Sequence, residues 1–163
     1  MAGNKNTISL HDLPEGAIPE GVTADYSNDA VRAALDALLA APDYNTLSTF
    51  LLSLREGFLV VDASGSAQGK KSHRVRTLRS TKGQLILPIF TSMAELRLAV
   101  PTAERNTVRG IVLPATNALA LIQADKFAAV QFDAGSAQFV VLRKFITRVL
   151  QEDDALSPDS LGS

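Results

Sequence analysis

The order of apolar patterns along the chain predicts a single α+β domain, with one mixed β-sheet and helices packed on it. Two amphipathic helices come first, and short apolar strands then alternate with helices, as in a sheet covered by helices. A tight turn at 81–83 separates two strand-like segments, so residues 73–90 are predicted to form an antiparallel hairpin. The length of 163 residues fits one domain.

Two helices are predicted before the first long strand. The first starts at Asn28 or Asp29 and ends at Pro42, and the second starts near Asp43 and is stopped by Gly57. Apolar side chains recur at helical spacing in both: Val31, Leu35, Leu38 and Leu39 in the first, and Leu47, Phe50, Leu51 and Leu54 in the second. Each helix is therefore expected to bury one face.

Residues 84–98 are predicted to form a buried strand that turns directly into a helix. The apolar run at 85–90 is typical of a strand that is buried on both faces. A serine followed three residues later by a glutamate has the spacing of a capping box, in which each side chain bonds a free backbone donor. The residues of this structural motif are Pro88, Phe90, Thr91, Ser92 and Glu95.

The remaining elements follow from the same periodicities. Strands are predicted at 58–62, 108–113, 127–132 and 139–142, with helices at 92–99 and 115–124 and a last helix that turns Phe145, Ile146, Val149 and Leu150 inward. Residues 1–27 have few large apolar side chains and are predicted to be a flexible arm. Residues 152–163 are predicted to be an acidic disordered tail, which leaves 28–151 as the domain.

Composition excludes several classes of protein. The chain has no cysteine, which rules out disulfides, thiol catalysis and cysteine-ligated metal. The net charge of −1 gives no global attraction to nucleic acid or membrane. The first residues lack the apolar core of a signal peptide, so we expect a cytoplasmic protein without a membrane segment.

A basic segment lies at 70–82, in a stretch without acidic residues between Asp62 and Glu95. Its basic residues are Lys70, Lys71, Arg74, Arg76, Arg79 and Lys82. One interpretation is a surface for an anionic partner. The other, which we favour, is a sheet edge that its charges keep from pairing with other strands. Nucleic acid is not expected as the partner, because the segment has no aromatic residue on which bases could stack.

No pattern of catalytic or ligand-binding residues stands out. Residues 65–72 resemble a phosphate-binding loop, but the glycine spacing is short and a strand follows in place of a helix. His11 and His73 have no paired-ligand spacing for zinc, so neither metal nor cofactor is expected. Asp62 and Asp133 each end a strand, where acids occur in active sites, although aspartate is also frequent in turns.

Five segments together resemble the amino-terminal domain of the SseB family. They are FLVVDAS at 58–64, GQLILPIFTSMAEL at 83–96, RGIVLPATNALALI at 109–122, AVQFDAGS at 129–136 and FVVLRKFI at 139–146. The most specific part is the Pro-x-Phe-Thr-Ser sequence at 88–92. The resemblance implies an α+β domain in the cytoplasm of bacteria, and it brings no established catalytic residues.

The leading hypothesis is a non-enzymatic protein-interaction or regulatory module, whose partner is another protein or a second copy of the chain. Two alternatives remain. One is anion or nucleic-acid binding through the basic segment, and the other is a small hydrolase or transferase with its site near Asp62 and Asp133.

Overall fold

The computed structural model describes residues 7–10, 26–63, 73–151 and 156–162, with the backbone alone for 7–10, 73 and 105–107. The strands are β1 Thr7–Leu10, β2 Phe58–Asp62, β3 His73–Arg76, β4 Leu78–Arg79, β5 Leu85–Ile89, β6 Gly110–Pro114, β7 Phe127–Phe132 and β8 Phe139–Leu142. The helices are α1 Asp29–Ala40, α2 Tyr44–Ser53, α3 Met93–Ala99, α4 Ala115–Ala120, α5 Arg143–Val149 and α6 Pro158–Leu161. Two 3₁₀ turns, Thr102–Thr107 and Leu121–Ala124, follow α3 and α4.

Three β-ladders form the sheet layer. The largest has the order β4-β5-β7-β8, in which β5 and β7 are parallel and the other neighbours antiparallel. The strands β2 and β6 pair antiparallel, as do β1 and β3. Reciprocal backbone hydrogen bonds of 2.9 Å between Val60 and Phe90 join β2 to the end of β5. Helices packed on a mixed sheet confirm the predicted α+β class.

The predicted hairpin at 73–90 is correct only next to its turn. Leu78 and Arg79 pair with β5, and the turn closes through Gly83, whose φ of +79° suits glycine. The strand β3 pairs instead with β1. Thr77 separates β3 from β4, and its buried hydroxyl has no hydrogen-bond partner among the described residues. The single predicted strand is therefore two short strands with different partners.

The main core lies between helices α1, α2, α4 and α5 and the sheet layer, to which both the four-stranded ladder and the β2–β6 ladder contribute. Phe50 of α2 contacts Phe132 and Phe139 edge to face, with ring centroids 5.4 and 5.6 Å apart. A smaller cluster beneath α3 is formed by Val60, Phe90, Met93, Leu96 and Val112. Leu39, predicted to share the buried face of α1, is 48% exposed.

The predicted helix starts of α1 and α2 are confirmed. Asn28 Oδ1 accepts a hydrogen bond from the Val31 amide, which places the cap of α1 at that residue. Asp43 caps α2, and its side chain and that of Thr46 each bond the other's amide. Both caps satisfy amides that have no partner within the helix.

Each of the two predicted terminal segments contains an element of secondary structure among its described residues. The predicted flexible arm, 1–27, contains β1, and Tyr26 within it hydrogen bonds to Phe58 across the fold. The predicted disordered tail contains α6, which packs on α2 and buries Leu156 and Leu161. Leu156 and Leu161, on either side of the Ser157 cap, give this segment an apolar face. The acidic composition of the segment did not predict that face.

The other predicted parts of the two termini, 1–6, 11–25, 152–155 and 163, lie outside the described residues. None of the helices described above combines the length and the apolar composition that crossing a bilayer requires.

Candidate functional site

A group of polar side chains meets where the parallel strands β5 and β7 end. Thr91 lies just beyond β5 and Asp133 just beyond β7, and both are buried. The carboxyl ends of adjacent parallel strands are a common position for binding sites in α/β proteins. This end of the sheet is therefore a candidate functional site.

Asp133 is bound to Thr91 by two hydrogen bonds. The amide of Thr91 donates to Asp133 Oδ1 and its hydroxyl donates to Oδ2, both at 2.8 Å. Asp133 has a φ of +52°, a left-handed conformation that aspartate tolerates in turns. Burial raises the pKa of the Asp133 carboxyl above its usual value, and the two bonds from Thr91 partly oppose that rise.

Three further side chains complete what we call the polar cluster: Arg32, Glu95 and Ser136, together with Thr91 and Asp133. Arg32 Nη1 donates to Thr91 Oγ1 at 3.0 Å and lies 3.3 Å from Glu95 Oε2. Ser136 Oγ donates to Glu95 Oε1 at 2.6 Å. The cluster thus connects α1, the β5–α3 junction and the turn after β7.

The predicted capping box at the start of α3 is present only in part. Ser92 Oγ accepts a hydrogen bond from the Glu95 amide at 3.0 Å, as predicted. The Glu95 carboxylate is bonded to Arg32 and Ser136, so it serves the polar cluster in place of the helix start. Pro88 and Phe90, the other residues of the motif, are buried in the sheet and its smaller core.

The polar cluster is suited to joining segments of the chain. Both carboxylate oxygens of Asp133 accept hydrogen bonds, and both of Glu95 have partners in the cluster. A buried carboxylate whose oxygens are bonded to its own chain fixes the positions of its donors. The arrangement therefore holds α1 and the two strand ends in one geometry.

Asp62 does not join this cluster. It ends β2, where it is buried and lies opposite Gly110. Because β2 runs antiparallel to β5 at the Val60–Phe90 bridge, continuing that register places Asp62 level with Pro88, roughly 10 Å along the strand from Thr91. The structure thus places Asp62 and Asp133 at separate positions along the sheet.

The basic segment is divided between two ladders. Arg74 and Arg76 share one face of β3, on either side of the buried Val75. Arg79 and Lys82 lie on the β4–β5 hairpin, where Arg79 Nη1 donates to the Gly83 carbonyl at 2.8 Å. Lys70 and Lys71 lie outside the described residues.

The remaining polar residues singled out in the sequence form no site with these. Of the histidines, His11 lies outside the described residues and only the backbone of His73 is described. Within the described ranges, no three histidine, aspartate or glutamate side chains are placed to share a metal ion.

A groove of about 600 Å³ opens between the end of α1, the start of α2 and the start of β8. We call it the apolar groove. Its lining residues are Leu38, Leu39, Pro42, Asp43, Tyr44, Leu47 and Phe139. Leu39 is 48% exposed and Tyr44 is 53% exposed, so large apolar side chains face solvent at its rim.

Sequence reasoning missed this groove. Its residues come from two helices and a strand nearly a hundred positions away, and periodicity does not report which distant elements meet. The local pattern was also misleading, because Leu39 has the spacing of the apolar stripe of its helix and was therefore predicted to be buried.

Comparison with known protein families identifies a matching domain. The model of the SseB protein N-terminal domain matches residues 31–148, from α1 to α5. Neither the curated proteins nor the solved structures include a significant match to the chain. The matched range contains the polar cluster and the apolar groove.

Proposed function

The chain belongs to the SseB family, and on that premise we propose that it is a non-enzymatic protein-interaction module whose binding surface includes the apolar groove. The proposed partner is another protein. A cytoplasmic location completes the proposal, supported by a sequence without cysteine.

The observation that carries the proposal is the exposure of Leu39 and Tyr44 beside the groove. Single exposed apolar residues are ordinary, but a concave group of them is typical of a surface that another molecule covers. Asp43 is the one ionisable carboxylate in the lining, and it is held as the cap of α2. The lining is therefore better suited to burying apolar side chains than to acid–base chemistry.

The polar cluster gives less support to the rival enzyme hypothesis. A general base must reach a substrate proton, yet the Asp133 carboxylate is buried and bonded to Thr91. Its raised pKa follows first from burial, which structural carboxylates also experience.

Site-specific photo-crosslinking in the native host tests the proposal. A benzophenone amino acid replaces Tyr44 in one variant and Leu52 in the control, since Leu52 is equally exposed on the same helix but does not line the groove. We expect a covalent adduct with a protein at position 44 and none of that mass at position 52. Identical adduct patterns at both positions, or no adduct at either, would contradict the proposal.

A further inference from the structure

The strand β8 forms one end of the four-stranded sheet among the strands that the structure describes. It pairs with β7 on one side, and its other edge presents backbone amides and carbonyls that could pair with a further strand. Val140 and Leu142 on this strand are 48% and 51% exposed. An apolar, solvent-facing end strand is the kind of edge to which strands add.

The opposite end of the same sheet is protected. There, β4 has only two residues, one of them Arg79, and the adjoining turn carries Lys82. Short length and basic side chains both discourage pairing with another strand. In contrast, residues 134–142 contain no charged residue and no proline. The two edges of one sheet thus differ in the features that decide whether a strand can be added.

The open edge of β8 and the apolar groove are continuous. Phe139 is the first residue of β8 and also lines the groove. Since side chains alternate along a strand, Phe139 and Val141 face α2 and the core, whereas Val140 and Leu142 face the other way. A strand added beside β8 would place alternate side chains over the groove.

The charges on the two helix segments that line the groove are acidic. Residues 33–54, which include the end of α1 and all of α2, carry Asp36 and Asp43 and no basic residue. Asp43 lines the groove, and Asp36 lies one helical turn before Leu39, which does so too. Basic side chains on a ligand would complement these two carboxylates.

We propose that β8 and the apolar groove bind an extended segment of a partner protein by strand addition, and that this segment combines alternating apolar residues with lysine or arginine. This inference rests on the proposed function and specifies its ligand. Backbone pairing with β8 would provide binding, while the groove and the two carboxylates would select the sequence.

Charge complementarity favours a different chain over a second copy. An identical strand brings no basic residue between 134 and 142. The next two basic residues already have partners within their own chain. Arg143 Nη1 donates to the carbonyls of Asp125 and Phe127, and Lys144 Nζ lies 5.1 Å from the centre of the Phe145 ring.

Selection from a display library of random twelve-residue peptides, with the whole chain as bait, tests the inference. We expect enriched peptides in which apolar residues alternate and lysine or arginine recurs. Binding of a synthesised enriched peptide should weaken at least tenfold in Val140→Lys, which charges the edge, and in Leu39→Ser, which opens the groove. The control Leu52→Lys adds the same charge to an equally exposed leucine elsewhere and should change the affinity less than twofold.

The double variant Asp36→Asn with Asp43→Asn tests the electrostatic part, and asparagine still caps α2. The peptide should bind it more weakly and with a smaller dependence on salt concentration. Thermal melts of every variant establish that each one folds.

Several outcomes would overturn the inference. They are no enriched peptide, enriched peptides rich in acidic residues, or binding that is unchanged in both Val140→Lys and Leu39→Ser. A dimer in sedimentation experiments that Val140→Lys dissociates would assign the edge to a second copy instead. If one of these results accompanies an adduct at position 44, the proposed function stands and the strand-addition inference fails. Their absence together with no adduct would show that the edge and the groove can bind such a peptide but that no protein of the host occupies them, which contradicts the proposed function and with it the assignment of a partner protein.

Discussion

Thr91 donates both its amide and its hydroxyl to the carboxylate of Asp133, at 2.8 Å each, although 42 positions separate the two residues. The same hydroxyl accepts a hydrogen bond from Arg32 at 3.0 Å. One small side chain therefore connects the end of β5 to the turn after β7 and to α1.

Replacing Thr91 by valine should destabilise the fold. The change keeps the shape but removes the hydroxyl, leaving one Asp133 oxygen and Arg32 without that partner, at a cost of about 1–3 kcal/mol in the free energy of unfolding. Thr116→Val is the matched control, because Thr116 is exposed on α4 and surface changes usually stay within about 0.5 kcal/mol. Urea denaturation compares the two. Equal losses would show that the hydroxyl is not needed.

The raised pKa of Asp133 predicts the sign of a pH effect. The folded state binds this proton more tightly than the unfolded state, so the contribution is greatest below the ordinary carboxyl pKa and is lost as pH rises through the folded pKa. The unfolding free energy of the wild type, minus that of Asp133→Asn, should therefore fall from acidic to neutral pH. A difference that rises with pH would mean that the fold favours the carboxylate.

Carbon NMR of the Asp133 carboxyl gives a second measurement. Two hydrogen bonds from Thr91 lower this pKa and burial raises it. Removal of the hydroxyl bond in Thr91→Val should move the titration midpoint further upward.

Gly135→Ala should separate the turn after β7 from α3. A Cβ atom at Gly135 would lie 2.8 Å from the backbone nitrogen of Ala99 and from the carbonyl carbon of Leu98. Backbone atoms cannot rotate away, so we expect a loss of about 1–3 kcal/mol. The control is Gly162→Ala, where the nearest atom would be 3.4 Å away in the Tyr44 ring. Similar stabilities of the two variants would contradict the close approach.

Leu161→Ala should show that the carboxy-terminal segment is part of the folded domain. Leu161 is buried in the main core, and truncating a buried leucine costs about 2–5 kcal/mol. Leu98, which is 48% exposed, provides the control, and Leu98→Ala should cost much less. If both variants unfold at the wild-type urea concentration, the docking of α6 is not stabilising.

The basic segment is not expected to bind nucleic acid. It contains no aromatic residue for stacking, and its described members are divided between two ladders. Fluorescence anisotropy is measured with short single- and double-stranded DNA and with RNA at low salt. The wild type and the double variant Arg76→Glu with Lys82→Glu should give the same anisotropy. Micromolar, salt-sensitive binding lost in that double variant would revive the anionic-partner interpretation.

Local signals in the sequence were sufficient to predict the helices α1 to α5 and most strands. Ser92 was identified as a cap because its oxygen lies where α3 needs an acceptor, and the start of α2 was placed near Asp43, which the structure shows to be its cap. The strands β2 and β7 have the predicted bounds, since apolar runs of five or six residues are strong strand signals. Interactions within one turn of helix depend on neighbours in sequence, and the pattern contains those neighbours.

Long-range pairings were not predictable in this way. Nothing in residues 73–76 indicates that they pair with Thr7–Leu10, because a short strand can pair with any edge of suitable register. The Glu95 side chain was expected to bond the backbone at the start of its own helix. Its carboxylate instead accepts hydrogen bonds from Arg32 and Ser136, which are 63 and 41 positions away in the sequence. The apolar groove likewise exists only once Phe139 meets α1 and α2.

Asp43 both starts α2 and gives the apolar groove its carboxylate. A residue that starts a helix needs an oxygen acceptor but not a charge, so asparagine, serine and threonine can replace it at little cost in stability. Each of these replacements makes the groove less acidic. At position 43 a substitution can therefore alter the electrostatic preference of the groove while the fold is preserved, so the charge of this surface and the start of α2 can vary independently.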